Sequence, residues 1–249
     1  MKLTILGSGS VITDLNHFGP CYLLEHNNKR ILIDVGQGAM IQLLKLGLAA
    51  KDIDYIFLTH FHCDHTADLL PLLISYRIAR RNGLASTKKI KIFGQKGTIE
   101  FVRNLFQTFN HKEGEEYEVF EIQKPEIIEG IEITPFPVLH SDVPAIAYRL
   151  VLSNKTIAFS GDTKECPGIL DASKEADLLV IDCSLPKGLE NVAHLNTEQI
   201  GVLCKKAGVK KVILSHLTDQ TANKNVVSEV RETFTGEVEA ARDLSVIKI

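Results

Sequence analysis

Apolar, strand-like runs that end in a histidine or an aspartate recur along this chain. The densest example is "FLTHFHCDHTADL", where three histidines and an aspartate fall within six positions directly after an apolar run. A loop that begins where a strand stops is a common place for a rigid scaffold to present functional groups. Imidazole nitrogens and carboxylate oxygens suit zinc and neighbouring first-row metals as ligands. The run therefore predicts a metal site at the end of a strand.

The candidate ligands within this cluster are His60, His62, Asp64 and His65. Alternate residues of an extended segment point to the same side, so His60, His62 and Asp64 can converge. The alternative is a polar turn whose histidines cap the following helix. Four metal-type ligands in six positions favour the metal site over that alternative.

Three later runs end in the same way. "PFPVLH" ends at His140, "IAFSGDT" contains Asp162 after its apolar part, and "KKVILSH" ends at His216. Each of these residues alone is as typical of a cap or a turn as of a ligand. Together with the cluster they complete a set of seven candidate ligands.

Short β-type runs and helical patterns follow one another along the chain without strict alternation. Helical spacing occurs in "GAMIQLLKLG", "LLPLLISYRIARRNG", "TIEFVRNLFQTF" and "NTEQIGVLCKKAG". In the last of these, Asn196 can cap the helix, Gln199 occupies the capping-box position and Gly208 can terminate it. Two mixed sheets covered by helices satisfy this order. No repeat or linker divides the chain, and we expect one domain over residues 1–249.

The overall charge and the cysteines limit the environment and the partners of this chain. A formal net charge of -3 provides no global attraction to nucleic acid or anionic membranes. The five cysteines are scattered and include no C-x-x-C pair, which argues against a disulfide framework and a zinc knuckle. The start "MKLTILGSGS" lacks the apolar core of a signal peptide or membrane helix. We therefore expect a cytoplasmic protein with no membrane partner.

The chain resembles the metallo-β-lactamase superfamily of hydrolases almost from end to end. The likeness lies in "LGSGS", "ILIDVGQGA" with Asp34, "THFHCDH", the isolated His140, "AFSGDT" and "ILSHL", which come in the family's order and approximate spacing. It implies an α/β (α+β) fold, a four-layer αββα sandwich of two mixed β-sheets flanked by helices. It also implies a two-metal site at one edge. Asp34 is implied as a structural residue behind that site, with a strand-end turn former as the alternative.

The resemblance also distributes the seven candidate ligands over two metals: His60, His62 and His140 on one, Asp64, His65 and His216 on the other, and Asp162 bridging them. Two divalent ions are implied, with Zn²⁺ expected first and Mn²⁺ or Fe²⁺ as alternatives. Such a pair, about 4 Å apart, can supply a shared hydroxide at neutral pH and neutralise charge on a substrate oxygen. Asp64 is a candidate to orient that hydroxide or accept its proton.

The later segments resemble one branch of the superfamily, ribonuclease Z, the transfer-RNA 3′-processing endonuclease. The likeness is in "IAFSGDT", "ADLLVIDCS" and "HLNTEQIGVLCKKAGVKKVILSHL". It implies that His194, held by Asp182, donates a proton to the leaving oxygen beside the scissile phosphate. The family usually has glutamate at the Asp182 position. Taken alone, His194 before a helix is more typical of a solvated loop residue or a cap.

The long arm with which ribonuclease Z grips transfer RNA has no counterpart in this chain. Only Ser153 and Asn154 separate "AIAYRLVL" from "KTIAFSGD", which predicts a hairpin turn. Folded transfer RNA is therefore disfavoured as a substrate, while other RNA is still a candidate. A basic stretch over residues 77–96 would attract phosphate if it lined the cleft. The alternative is a solvated helix end and an edge strand kept soluble by lysine.

These features favour a dinuclear metal-dependent hydrolase, ribonuclease Z-like, that acts as a phosphodiesterase on a small or single-stranded phosphodiester. A lactone or thioester hydrolase of the same fold is the alternative within the same class. A non-catalytic metal- or RNA-binding module is the alternative from another class. True β-lactamases of this fold usually have a cysteine where this chain has Asp162, which disfavours antibiotic hydrolysis. The family implies a homodimer.

Overall fold

The computed structural model describes residues 1–12, 14–86, 88–222 and 224–249. The strands in these ranges are, in chain order, β1 (Lys2–Gly7), β2 (Cys21–His26), β3 (Lys29–Ile33), β4 (Tyr55–Phe57), β5 (Ile90–Gly94), β6 (Tyr117–Glu121), β7 (Glu126–Ile128), β8 (Ile131–His140), β9 (Val143–Leu152), β10 (Lys155–Phe159), β11 (Leu178–Asp182), β12 (Lys211–Ser215), β13 (Glu237–Ala240) and β14 (Val246–Lys248). The helices are α1 (Ala39–Lys45), α2 (Cys63–Thr66), α3 (Leu69–Arg81), α4 (Thr98–Thr108), α5 (Pro167–Ser173), α6 (Thr197–Ala207) and α7 (Val226–Arg231).

The strands form two seven-stranded mixed sheets of matching design. The first has the order β14-β1-β2-β3-β4-β5-β6, and the second has the order β13-β12-β11-β10-β9-β8-β7. In the first sheet the pairs from β14 to β3 are antiparallel and those from β3 to β6 are parallel. In the second sheet β10 to β13 are parallel and β7 to β10 are antiparallel. Parallel neighbours end at a common edge, which places their following loops side by side.

Three apolar layers hold the sheets and helices together. In β3, Ile31 and Ile33 join a core that contains residues of both sheets, whereas Leu32 faces a core shared with helices α1, α3 and α4. A third core joins the other face of the second sheet to α5, α6 and α7. Both faces of each sheet are therefore buried, which explains the nearly continuous apolar runs. This is the four-layer αββα arrangement predicted from the sequence, and it is confirmed.

The four helices that periodicity predicted are present as α1, α3, α4 and α6. Asn196 caps α6, its side chain accepts from the backbone N–H of Gln199 (2.9 Å), and the Gln199 side chain accepts from the N–H of Asn196 (3.0 Å). Gly208 ends the helix with a left-handed φ of 69°. The short strands β7 and β13, "EII" and "EVEA", are not predicted, since strands of three or four residues are too short to show a recognisable apolar period.

The connection between β9 and β10 is the predicted two-residue hairpin. Leu152 pairs with Lys155, and Ser153 and Asn154 between them have φ values of 47° and 62°. Two successive left-handed residues are the signature of the tight turn that matches the twist of the flanking strands. No arm extends from the sandwich at this point.

Two further expectations concern the cysteines and the membrane. All five cysteines are free thiols, and Cys63 is the exposed one. In the parts of the chain that the structure describes, no helix combines the length and the apolar character required to cross a bilayer.

Helix α5 lies directly on β8, the strand that ends at His140. A Cβ atom at Gly168 would lie 1.9 Å from the backbone carbonyl oxygen of Pro137. The segment before the helix is also attached to this strand, because the N–H of Lys164 donates to the carbonyl of Leu139 (2.9 Å). The close approach of α5 therefore sets where the chain after Asp162 meets the end of β8.

We expect Gly168→Ala to destabilise the protein by about 1–3 kcal/mol, because the backbone it would contact cannot rotate away. On helix propensity alone the same change should stabilise the protein by about 0.5–1 kcal/mol. The sign of the change in the free energy of unfolding therefore distinguishes the packing effect from the propensity effect. Chemical denaturation measures the difference. The control is Val202→Ala on the exposed side of α6, expected within about 0.5 kcal/mol of wild type. A Gly168→Ala protein as stable as wild type would contradict this packing.

Candidate metal centre

The seven candidate ligands predicted from the sequence converge at one edge of the sandwich. His60 and His62 follow β4, and Asp64 and His65 lie in the short helix α2. The second sheet contributes the other three, because His140 ends β8, Asp162 follows β10 and His216 follows β12. His62 is partly exposed, and the other six side chains are buried. The site is thus a junction between strand ends of two different sheets.

A first group of donor atoms consists of three imidazoles and one carboxylate. His62 Nδ1 lies 3.1 Å from His60 Nε2 and 3.0 Å from His140 Nε2. The Nε2 atoms of His60 and His140 are each 3.7 Å from Asp162 Oδ2. Ligand atoms about 2.0–2.2 Å from one tetrahedral ion lie roughly 3.3–3.6 Å apart, and these separations scatter around that value.

A second group shares the same carboxylate. His65 Nε2 lies 3.1 Å from Asp162 Oδ1, and His216 Nε2 lies 3.2 Å from Asp162 Oδ2. Asp64 Oδ2 completes the group, 3.3 Å from His216 Nε2 and 3.8 Å from His65 Nε2. In each group all donor atoms lie within 4.8 Å of one another. Asp162 is therefore placed to serve both groups at once.

Two atoms of the second group test whether the residues fit a cation. His65 Nε2 and Asp162 Oδ1 are buried, and within the described residues neither has a hydrogen-bond partner of acceptable geometry. Leaving such atoms unsatisfied costs about 1–3 kcal/mol each. Burial, followed by the charge of His65, lowers the pKa of His60 well below its usual range and favours the neutral imidazole that can ligate a metal. The donor set fits divalent metal ions.

Hydrogen bonds behind the two groups select which ring nitrogen faces the centre. His65 Nδ1 donates to Asp34 Oδ2 (2.7 Å), so that Nε2 is directed at Asp162. Asp34 in turn accepts from the backbone N–H and the hydroxyl of Thr59, both at 2.8 Å. His140 Nδ1 donates to the carbonyl of Ala193 (3.1 Å). Such partners fix ring orientation and tautomer at metal sites.

Two residues of the centre have a backbone conformation that is uncommon for residues with side chains. Asp34 and His216 have φ values of 58° and 53°, in the left-handed region. Neighbouring backbone hydrogen bonds hold them there: Asp34 N–H donates to Phe57, and Leu217 N–H donates to Ser8. Backbone strain of this kind concentrates at functional sites.

The predicted pair of Asp182 and His194 is formed at the rim of the centre. His194 Nδ1 lies 2.7 Å from Asp182 Oδ2, and the His194 ring is 5.1 Å from the ring of His140 and 5.4 Å from that of His216. Burial lowers the pKa of His194, but the charge and hydrogen bond of Asp182, together with the charges of Asp162 and Asp64, outweigh burial and raise the pKa to about 9. His194 is half-buried and thus accessible from outside the donor groups.

Sequence reasoning missed three groups that position the candidate ligands: Thr59, the carbonyl of Ala193, and Ser184. Sequence features could have indicated two of them. Thr59 directly precedes His60, and Ser184 stands two positions after Asp182, the spacing at which residues of an extended chain share a side. Nothing in the sequence distinguishes the carbonyl of Ala193, because every residue has a backbone carbonyl.

Most charges of the basic stretch 77–96 do not lie at this edge. Its ion pairs join Arg77 to Glu116, Lys88 to Asp54, Lys89 to Glu118 and Lys91 to Glu129. β5 is an interior strand between β4 and β6, so the edge strand of the alternative interpretation is wrong. Lys96 is the basic residue of the stretch that follows the end of β5, on the side of the metal centre.

Comparison with known proteins places this arrangement among metal-dependent hydrolases. A family model described as Anti-Pycsar protein Apyc1 matches residues 1–240. The probable metallo-hydrolase YhfI of Bacillus subtilis strain 168 is 25% identical over 244 residues, which cover 97% of each chain. Ribonuclease Z of Mycolicibacterium gilvum is 27% identical over 243 residues, 87% of this chain and 84% of that one.

Solved structures show the same fold. The crystal structure of the metallo-β-lactamase fold protein YhfI from Bacillus subtilis has a TM-score of 0.89 at 24% identity, covering 99% of this chain and 98% of that one. The short form of human tRNase Z has a TM-score of 0.81 at 24% identity, covering 100% and 99%. The predicted metallo-β-lactamase fold is confirmed, as is the likeness to ribonuclease Z.

Exchange of the carboxylate behind His65 tests the second donor group. In Asp34→Asn the side-chain N–H₂ would face His65 Nδ1, if the amide oxygen keeps its bond to the Thr59 N–H. The proton of His65 would then move to Nε2, the nitrogen that must be bare to ligate a metal. We expect metal affinity to fall about 10–100-fold.

Metal content after dialysis against a chelator series measures this change. Asp177→Asn is the matched control, because that carboxylate accepts from Thr156 N–H (2.9 Å) at the start of the neighbouring strand, the opposite end of the sheet from the donor groups. An Asp34→Asn protein that retains metal like wild type would show that this carboxylate has no part in metal binding.

Proposed function

The chain belongs to the family of the Anti-Pycsar protein Apyc1 and is a metal-dependent hydrolase, and we propose that the bond it cleaves is a phosphodiester. The observation that carries the proposal is the His194–Asp182 pair at the rim of two metal-type donor groups that share Asp162. A relative named ribonuclease Z supports it, since a ribonuclease acts on the phosphodiesters of RNA. The proposed substrate is a small or single-stranded phosphodiester.

The proposed ligands are the seven residues of the two donor groups: His60, His62 and His140 for one metal, Asp64, His65 and His216 for the other, and Asp162 for both. Two divalent ions bound there, zinc first and manganese or iron as alternatives, would lower the pKa of bound water and neutralise charge on the phosphate oxygens. The rest of the reaction falls to the side chains around them.

Asp64 is the proposed group that orients the attacking water. Its Oδ2 atom is on the side of His216 and His65, and the side chain is buried in the first turn of α2. The second carboxylate oxygen has no partner within the second donor group, which leaves it to accept a hydrogen bond from that water.

His194 is the proposed proton donor. Its Nδ1 atom is hydrogen-bonded to Asp182 Oδ2 (2.7 Å), so Nε2 is the nitrogen that can face a substrate at the opening. As the bond from phosphorus to the leaving oxygen breaks, the proton passes from His194 Nε2 to that oxygen, and the charge of Asp182 stabilises the imidazolium beforehand.

The two-residue turn at Ser153–Asn154 supports a small substrate or an unfolded RNA end over folded transfer RNA. The basic stretch points the same way, because at least four of its seven basic residues are ion-paired and therefore attract a long phosphate backbone less strongly. The homodimer implied by the family stays a prediction.

The reaction itself is tested with bis(p-nitrophenyl) phosphate and protein loaded with zinc or manganese. We expect metal-dependent release of p-nitrophenol, and a fall of at least about 100-fold in kcat for Asp64→Asn, which keeps the size of the side chain. Lactones and thioesters are assayed beside it. Turnover of those esters with none of any phosphodiester, RNA ends and small cyclic and linear compounds included, would replace the proposal with the alternative hydrolase.

The role of His194 is tested by the leaving group. We expect His194→Ala to retain metal but to lose about 10²–10⁴-fold in kcat on a dinucleoside monophosphate, whose ribose oxygen must be protonated as it leaves. The loss on bis(p-nitrophenyl) phosphate should be smaller, because p-nitrophenolate leaves without a proton. His26→Ala, a histidine at the end of β2, is the control. Equal losses on the two substrates would remove the proton-donor role.

A further inference from the structure

Ser184 occupies a central position among the groups behind the metal centre. It lies two residues after Asp182, which ends β11, and only 2% of it is exposed. Its hydroxyl oxygen is 2.5 Å from Asp182 Oδ1, 2.8 Å from His216 Nδ1 and 3.3 Å from His194 Nδ1. One hydroxyl thus touches a candidate metal ligand and both members of the proposed proton-donor pair.

The direction of these hydrogen bonds follows from His216. Its Nε2 atom faces Asp64 and Asp162, so the ring proton belongs on Nδ1 whenever Nε2 binds a metal. Nδ1–H then donates to the oxygen of Ser184. A hydroxyl has one hydrogen and can accept as well, so Ser184 is free to donate that hydrogen to Asp182 Oδ1.

Asp182 does not make this contact itself. Its Oδ1 atom is 3.6 Å from His216 Nδ1, beyond hydrogen-bond distance, and Ser184 fills the gap. The other oxygen, Oδ2, accepts from His194 Nδ1 (2.7 Å) and from the N–H of Thr163 (3.2 Å). One oxygen of this buried carboxylate, Oδ2, therefore contacts His194 directly. The other, Oδ1, is connected to His216 through the Ser184 hydroxyl.

We propose that Ser184 is a positioning residue that couples His216 to the Asp182–His194 pair. It holds the His216 tautomer that leaves Nε2 bare for a metal. It also fixes the rotation of the Asp182 carboxylate, so that Oδ2 stays directed at His194. The first effect concerns metal binding alone, and the second rests on the proposed function.

Removal of a buried hydroxyl that has no contact with the centre should change neither metal binding nor turnover. The chain offers such a hydroxyl in Ser173 of α5, which is fully buried and has no hydrogen-bond partner among the described residues. Ser173→Ala removes a buried hydroxyl of the same size in the same half of the molecule. It is the control for every measurement below.

Metal retention is the first measurement, on the full chain loaded with zinc and, separately, with cobalt. We expect Ser184→Ala to lose zinc at a chelator concentration about 10–100-fold lower than wild type and to change the visible spectrum of the cobalt protein. Ser173→Ala should match wild type in both. Ser184→Thr, which keeps the hydroxyl, should restore both properties and carries the test if Ser184→Ala does not fold.

Turnover is the second measurement, on the same two phosphodiesters at saturating metal. Ser184→Ala should lower kcat with little change in KM. In a His194→Ala background, Ser184→Ala should lower kcat by a smaller factor than in wild type, because part of its effect acts through that histidine.

The outcomes separate the two proposals. Weaker metal binding by Ser184→Ala supports the coupling to His216, even if the wild type hydrolyses no phosphodiester and the proposed function fails. Metal affinity and a cobalt spectrum equal to wild type would overturn the coupling even in an active phosphodiesterase. Equal losses of metal by Ser184→Thr and Ser184→Ala would overturn it too, since the hydroxyl would then not be the cause.

Discussion

The carboxylate of Asp162 lies between two groups of imidazoles, and the rest of the site is built around it. One of its oxygens is 3.2 Å from His216, and the other is 3.1 Å from His65. His65 lies in α2, after a strand of the first sheet, and His216 follows a strand of the second, so both sheets must end at the same edge for these contacts to exist. Gly161 makes the approach possible, because a Cβ atom there would lie 2.8 Å from the side chain of Thr59. The packing that brings the two sheets together therefore also assembles the donor groups.

Buried charge is the second constraint, and the fold meets it with layers of hydrogen bonds. Asp34 and Asp182 lie behind opposite sides of the centre, each buried and each accepting from a histidine and from backbone N–H groups. A buried carboxylate without such partners would carry a large desolvation cost. The same partners select which nitrogen of each histidine faces inward, so that the groups which stabilise the fold also prepare the donor atoms. Stability and function cannot be separated at these positions.

Much of this molecule could be predicted from local patterns. The apolar period of α3, the capping residues of α6 and the two-residue turn at Ser153–Asn154 depend on neighbours close along the chain, and each is present as expected. The strands β7 and β13 were missed because they are short, acidic and paired at sheet edges, where pairing depends on a distant neighbour instead of a residue's own preference. The basic stretch shows the same limit. Its sequence contains no acidic residue, yet it is ion-paired with acidic residues that lie in β6 or directly before β4 and β6.

By itself the sequence determined the chemical types of the donors and the elements that present them, because a histidine at the end of an apolar run is a local fact. The resemblance to a known superfamily extended this to a fold and a ligand set. Tertiary structure alone decided that His216 meets Asp64, 152 positions away, and that Ser184 lies between His216 and Asp182. Distances of 3 Å between such residues depend on how two sheets, three apolar cores and close helix contacts pack together. No single segment contains that information.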